Sequence, residues 1–498
     1  MIQRRVAVVG TGIGGLATAL RLAANDFDVT VFERAAAPGG KMREVAIGDA
    51  RLDAGPTVFT MRWVFEELFA AAGESFQDHV RIAPLDILAR HAWPDGQRLD
   101  LFADIDRTVD AIGAFAGAAE AQRYREFNRR AKLVYETLEH GYIRAANATP
   151  LTLMRDAGLR GLPSLLQIRP FTNLWKALGD YFHDVRLRQL FARYATYCGS
   201  SPFLAPATLM LIAHVEQDGV WCVDGGMHQL AVALSKLAAE RGVKFCYDAN
   251  VAEVLVKDGR ACGLRLTTGQ QINADAVVVN ADVRALTAGL FGRDAANAAP
   301  KAKSSAASLS ALTWNLVAPT RGFPLLRHNV FFSEDYAAEF DDIFARQKLP
   351  ANPTVYVCAQ DRTDQDNGNA LGADRLLCLV NAPALGGIRK FREDEIAACE
   401  HQTFDLLQRC GLDISRSTQT SVLTTPHDFE QLFPATNGAL YGAANHGWQG
   451  SFSRMGARSK LPGLYLAGGS VHPGPGVPMA ALSGQFAAQS IIQDFGNR

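Results

Sequence analysis

Nowhere in the 498 residues do about twenty apolar residues run together free of charge, so the sequence predicts no membrane-spanning helix. Neither sign of charge dominates. The 50 Lys and Arg against 51 Asp and Glu leave no general basic field for nucleic acid. Eight cysteines are scattered along the chain without a C-x-x-C pair, which argues against a disulfide frame or a zinc site and for free thiols in a cytoplasmic protein. The eleven histidines never form H-E-x-x-H or an i, i+4 pair, so no metal is expected. Ser470 and His472 invite a hydrolase reading but lie outside any G-x-S-x-G motif. No second G-x-G-x-x-G occurs, which argues against a separate nicotinamide domain. Reduced cofactor would then pass its electrons to something else, such as dioxygen or a quinone.

What is present is concentrated at the start of the chain. Residues 5–9, Arg-Val-Ala-Val-Val, read as a buried parallel strand, 16–24 as a helix, and 28–32 as a second strand. Between the first strand and the helix stands Gly10-Thr11-Gly12-Ile13-Gly14-Gly15. Gly10 permits the turn, Gly12 lets backbone approach a pyrophosphate, and Gly15 lets helix and strand pack closely. The helix start, with Ile13 and Gly14, offers N–H groups and a positive dipole end to phosphate. Glu33 ends the second strand eighteen residues after Gly15, where a carboxylate can accept from both ribose hydroxyls and would repel a 2′-phosphate. Arg4-Arg5 before a small apolar run imitates an export signal, but its removal would delete the nucleotide site, so the stretch is expected to be retained.

After Glu33 and Arg34 comes Pro38-Gly39-Gly40-Lys41-Met42-Arg43, a sharp bend with free N–H groups and two cations that suits a second phosphate contact. Gly55-Pro56-Thr57 then fixes a bend without bulk, useful where main chain lies against a flat ring. The order G-T-G-I-G-G-L, E-R, P-G-G-K and D-A-G-P-T resembles the FAD-binding half of the bacterial phytoene-desaturase family of carotenoid oxidoreductases, relatives of the flavin amine oxidases. The stretch 463–479, including Gly468, Gly469, Val477, Pro478 and Met479, resembles that family's C-terminal flavin motif. Within the family, 55–63 and 469–474 look most like the 1-hydroxycarotenoid 3,4-desaturases, also called methoxyneurosporene dehydrogenases.

The resemblance implies an α/β fold: a Rossmann-like, amine-oxidase-like FAD-binding domain with an interleaved α+β substrate domain. The first would comprise residues 1–73, 218–285 and 425–498, the second 74–217 and 286–424. FAD would meet Gly10 to Gly15, Glu33, Arg34, Gly39 to Lys41, Gly55 to Thr57, Val251 through main chain, Asn280, and the C-terminal motif. The implied reaction is FAD-dependent formation of the 3,4 double bond in a 1-hydroxy- or 1-methoxycarotenoid. Desaturation of phytoene or another carotene, amine oxidation, and a flavin-free lipid-binding role like that of the GDP-dissociation inhibitors remain alternatives. Nothing in the sequence sets a catalytic acid or base or an oligomeric state; His228 and His446 are candidates for end-group contact, with a structural role the favoured alternative for each.

Between 151 and 200, seven basic residues (Arg155, Arg160, Arg169, Lys176, Arg186, Arg188, Arg193) face three acidic ones, interleaved with Phe171, Trp175, Tyr181, Phe182, Phe191, Tyr194 and Tyr197. Such a stretch can lie on an anionic membrane surface, which would make the protein cytoplasmic and peripherally membrane-associated. Equally, it can be a helix pair of the substrate domain with its aromatics in the core.

Overall fold

The computed structural model describes residues 3–155, 168–169, 171–300, 306–363, 372–448, 450 and 452–496. Arg160 of the basic stretch lies outside these. Strand β1 (Arg5–Val9), helix α1 (Ile13–Ala23) and strand β2 (Asp28–Phe32) form in the predicted order. The helix begins three residues earlier than its apolar pattern suggests, because the glycines themselves are helical.

The first sheet has five parallel strands, in the order Leu464–Leu466, Ala276–Val279, β1, β2, Lys244–Cys246. Val6 pairs with Ala276 on one side and Val29 on the other, so β1 is central and its apolar run is buried on both faces. α1 crosses the C-terminal helix Val477–Gly496 at a glycine pair. A Cβ on Gly484 would lie 2.1 Å from the carbonyl oxygen of Gly14. Thr18 Oγ1 donates at this crossing to Gly14 O (2.8 Å) and Gly484 O (3.0 Å). The starts of both helices are thereby brought to the same edge of the sheet. An antiparallel sheet, Val251–Lys257, Arg260–Leu266 and Gln271–Asn273, packs on the other face.

The second large sheet has seven strands. It combines Ile87–Ala92 and Arg98–Phe102 with Ser310–Ala318, His328–Phe331, Val355–Ala359, Asp374–Ala382 and Ser421–Thr424. Alternation along the strands sends Val355, Val357, Leu376 and Val380 toward helix Glu393–Arg409. Tyr356 and Leu377 project toward the other face, with Thr313 and Leu379 paired in register in the same row.

On that face the stretch 168–200 takes the second of its two readings. Trp175, Tyr181, Phe182, Phe191, Tyr194 and Tyr197 belong to a core with helix Ala118–Leu138. Arg186 is paired with Asp184 and lies over the Phe115 ring. Arg188 covers Trp175. Arg193 points into the molecule. These three arginines therefore do not form a membrane-facing surface: an adjacent acid and aromatic rings hold Arg186 and Arg188, and Arg193 turns to the cavity.

Candidate functional site

A single cavity of about 1500 Å³ joins the edge of the five-stranded sheet to the face of the seven-stranded one. A pocket for one drug-sized ligand occupies about 300–1,000 Å³, so this space can take a dinucleotide and a long second ligand.

At the nucleotide end, the wall includes Gly10, Gly12, Ile13, Gly14, Glu33, Arg34, Gly39, Gly40, Lys41, Gly55, Pro56, Thr57, Val251, Asn280, Gly468, Gly469, Val477 and Met479. All were singled out from sequence. Gly15 is the exception. It lies behind the wall, where a Cβ would come within 2.1 Å of Gly10 O, so its work is helix–strand packing.

The collar is tight because backbone meets backbone. Gly39 N donates to Thr11 O at 3.0 Å. Asn280 Nδ2 donates to Gly10 O (3.3 Å) and Gly12 O (3.2 Å), tying the turn to the end of the neighbouring strand. A Cβ on Gly14 would sit 2.8 Å from Gly468 N, which brings the C-terminal motif against the first turn of α1. Glu33 is buried at the tip of β2, its Oε1 accepting from Ala35 N at 2.9 Å. Lys41 Nζ donates to Leu440 O at 2.6 Å. Burial pushes the Lys41 ammonium down, with the Asp282 charge opposing that shift. This donor set fits FAD: an unpaired helix start, a buried cation for phosphate, and a fixed carboxylate for ribose.

The two histidines considered for an end group do other things. His228 shares a hydrogen bond of 2.9 Å with Pro38 O and lies 3.4 Å from Glu44, so it buttresses the glycine bend. His446 Nε2 accepts from Ser201 N, and burial lowers its pKa to about 4. His472 bonds with Ala145 O, and Ser470 Oγ accepts from Val283 N, so these two form no hydrolytic pair. Among the described residues, no three His, Cys, Asp or Glu side chains gather as a metal site.

Next to Thr57, on the face of the seven-stranded sheet, stands a polar group whose other members sequence reading missed. Tyr356 OH is hydrogen-bonded at 2.7 Å with both Thr57 Oγ1 and His328 Nδ1. Glu216 accepts from Tyr194 OH (2.7 Å) and Tyr197 OH (2.6 Å). Arg193 Nη1 donates to Tyr197 OH at 3.3 Å, with the guanidinium 5.2 Å from the Tyr356 ring centre. Burial, helped by the Arg327 and Arg193 charges, drops the His328 pKa to about 3, so its imidazole is neutral. Arg193, Tyr194 and Tyr197 share the turn Arg193–Cys198, while Thr57, Glu216, His328 and Tyr356 come from four other segments with no shared motif. The only trace in the sequence is the polar and charged residues punctuating apolar strands and helices.

The flavin containing amine oxidoreductase model matches residues 13–492. Hydroxyneurosporene desaturase of Rubrivivax gelatinosus is 57% identical over 98% of this chain and 93% of its own. The protein of the same name from Cereibacter sphaeroides is 43% identical over 100% and 99%. A putrescine oxidase structure superposes with a TM-score of 0.61 at 15% identity, covering 99% of each chain, which shows the fold. The chain belongs to the flavin containing amine oxidoreductase family and is an FAD-dependent oxidoreductase.

Proposed function

We propose that this enzyme introduces the 3,4 double bond into a carotenoid carrying a 1-hydroxy or 1-methoxy end. The observation that carries the reading is the single cavity, continuous from the glycine collar to an apolar channel among Leu138, Ile143, Leu153, Leu209, Ile212 and Leu379. Burying about 500 Å² of polyene there at ~25 cal/mol per Å² is worth on the order of 12 kcal/mol gross, before ordering costs. The relatives named for hydroxyneurosporene desaturation support the choice of substrate.

Gly12 to Gly14, Gly39 to Lys41 and Glu33 would hold the adenosine diphosphate portion of FAD. Gly55 to Thr57 and the start of helix Val477–Gly496 would hold its ring. Bound FAD supplies a two-electron acceptor for one substrate hydrogen with its electron pair, while the neighbouring hydrogen leaves as a proton. The protein's part is to align the polyene, exclude water, and present the positive end of the C-terminal helix to charge that builds on the cofactor.

The substrate enters from a membrane surface. Met154, Phe171 and Trp448 line the cavity while remaining exposed, and Leu151, next to the cavity-lining Pro150, is 75% exposed. Phe171 and Trp448 are in edge-to-face contact at 5.5 Å. An exposed apolar rim around a cavity mouth suits insertion into the acyl boundary of a bilayer, and no described helix is long and apolar enough to cross one. The reading is tested by adding hydroxyneurosporene anaerobically to FAD-loaded enzyme. Bleaching of the oxidised-flavin band is expected; an unchanged spectrum would refute it.

A further inference from the structure

We propose that Arg193 recognises the oxygen on C1 of the substrate and so sets the enzyme's preference for oxygenated ends. The inference rests on the carotenoid reading of the cavity.

The chemistry restricts where such a contact can be. At about 1.5 Å per bond, an oxygen on C1 lies within roughly 5 Å of the C3–C4 bond that reacts. The recognising group must therefore stand beside the cofactor ring, not at the far end of the channel. The polar group around Arg193 meets this requirement. Tyr356 reaches Thr57 by a 2.7 Å hydrogen bond, and Thr57 belongs to the segment assigned above to the ring. Arg193 lies against Tyr356 and lines the same cavity.

The cluster also has polar capacity to spare. Tyr336 and Thr313 line the cavity, and their hydroxyls are buried with no hydrogen-bond partner among the described residues. Buried polar groups are rarely left so unless something else satisfies them. A wholly hydrocarbon ligand could not. Among the described residues Arg193 donates one hydrogen bond, to Tyr197, although its guanidinium carries five N–H groups.

Donor chemistry then sets the range of substrates. A guanidinium only donates, and both an alcohol and a methyl ether oxygen accept, so hydroxy and methoxy ends are both admitted. A carboxylate would accept from the alcohol and reject the ether. Glu216, the carboxylate in this cluster, has each oxygen already engaged by a tyrosine hydroxyl.

The test measures binding and turnover on FAD-loaded enzyme with 1-hydroxy, 1-methoxy and end-unsubstituted carotenoids of equal conjugation. In the wild type, the hydroxy and methoxy compounds should bind within a few-fold of each other and at least about 10-fold tighter than the unsubstituted one. Arg193→Met should shrink the hydroxylated-to-unsubstituted ratio of kcat/KM by about 10- to 100-fold, and Arg193→Lys should restore most of it. A ratio unmoved by Arg193→Met overturns the assignment, as does equal loss on both substrates. If Arg193→Met fails to fold, the wild-type series decides: methoxy binding as weak as that of the unsubstituted compound rules the donor out. Wild type inert toward every carotenoid would overturn the reading of the cavity itself. Desaturation without discrimination would overturn Arg193 alone.

Discussion

Thr11 holds the Glu33 carboxylate by two hydrogen bonds to one oxygen, from its amide and from its hydroxyl, each 2.7 Å long. The acid at the tip of β2 is thus oriented before any ligand arrives, and preorganisation lowers the ordering cost of binding. Losing a charge-assisted hydrogen bond costs roughly 1.5–3 kcal/mol, so Glu33→Ala should weaken FAD binding by about 10- to 150-fold. Thr11→Val, which keeps the acid but loosens it, should cost less. FAD occupancy under limiting FAD measures both, and equal occupancy in wild type and Glu33→Ala contradicts the assignment.

Two neighbouring glycines should fail in different ways. A Cβ on Gly15 meets backbone, Gly10 O at 2.1 Å, whereas on Gly12 it meets the Asn280 side-chain amide at 2.9 Å. Overpacking costs about 1–3 kcal/mol where nothing can move aside. Gly15→Ala should therefore lower Tm more than Gly12→Ala, while Gly12→Ala, in the cavity wall, should cost more FAD at a temperature where both are folded. Melting curves and flavin content of the two variants separate the effects.

Acid should weaken the fold through His328. Its folded-state pKa, about 3, lies below the ordinary 6.5, so the unfolded chain binds the extra proton between those values. The contribution is complete above about pH 6.5 and is lost as pH falls toward 3, at up to about 1.4 kcal/mol per pH unit. Glu216 and Glu339, raised by burial, act in the opposite sense, so the wild-type curve alone is ambiguous. His328→Asn isolates the term. Its stability gap from wild type should narrow between pH 6.5 and 4; a constant gap would contradict the neutral imidazole.

Membrane binding should depend on the apolar rim and not on the basic residues of 186–193. Replacing Leu151 and Phe171 together by Asp should lower liposome affinity by about 10-fold or more, since each buried apolar side chain contributes roughly 1.5–3 kcal/mol. Arg186→Gln should do little, because that guanidinium is engaged with Asp184 and Phe115. Vesicle co-sedimentation at two salt concentrations distinguishes the outcomes.

The glycine turn, the helix after it and the strand-tip acid were legible in the sequence because their determinants are local. A turn glycine, a helix start and a strand-tip acid act over about thirty residues, and backbone geometry alone fixes their chemistry. The polar cluster beside Thr57 was not legible. Arg193, Glu216 and Tyr356 meet Thr57 only after the seven-stranded sheet has formed from segments more than two hundred residues apart. Basic and aromatic residues at helical spacing fit a membrane face as well as a core, and only tertiary packing decides between them. His228 shows the same limit. The sequence leaves it open between end-group contact and a structural role, and that role is set by Pro38 and Glu44 across the fold.

Giving FAD-reconstituted enzyme hydroxyneurosporene, phytoene and a polyamine in parallel, and following the carotenoid spectrum and the products, tests the proposed reaction most directly. The prediction is a chromophore lengthened by one double bond from hydroxyneurosporene, with phytoene and the polyamine unchanged. Desaturation of phytoene with hydroxyneurosporene untouched would contradict it, as would oxidation of the amine alone.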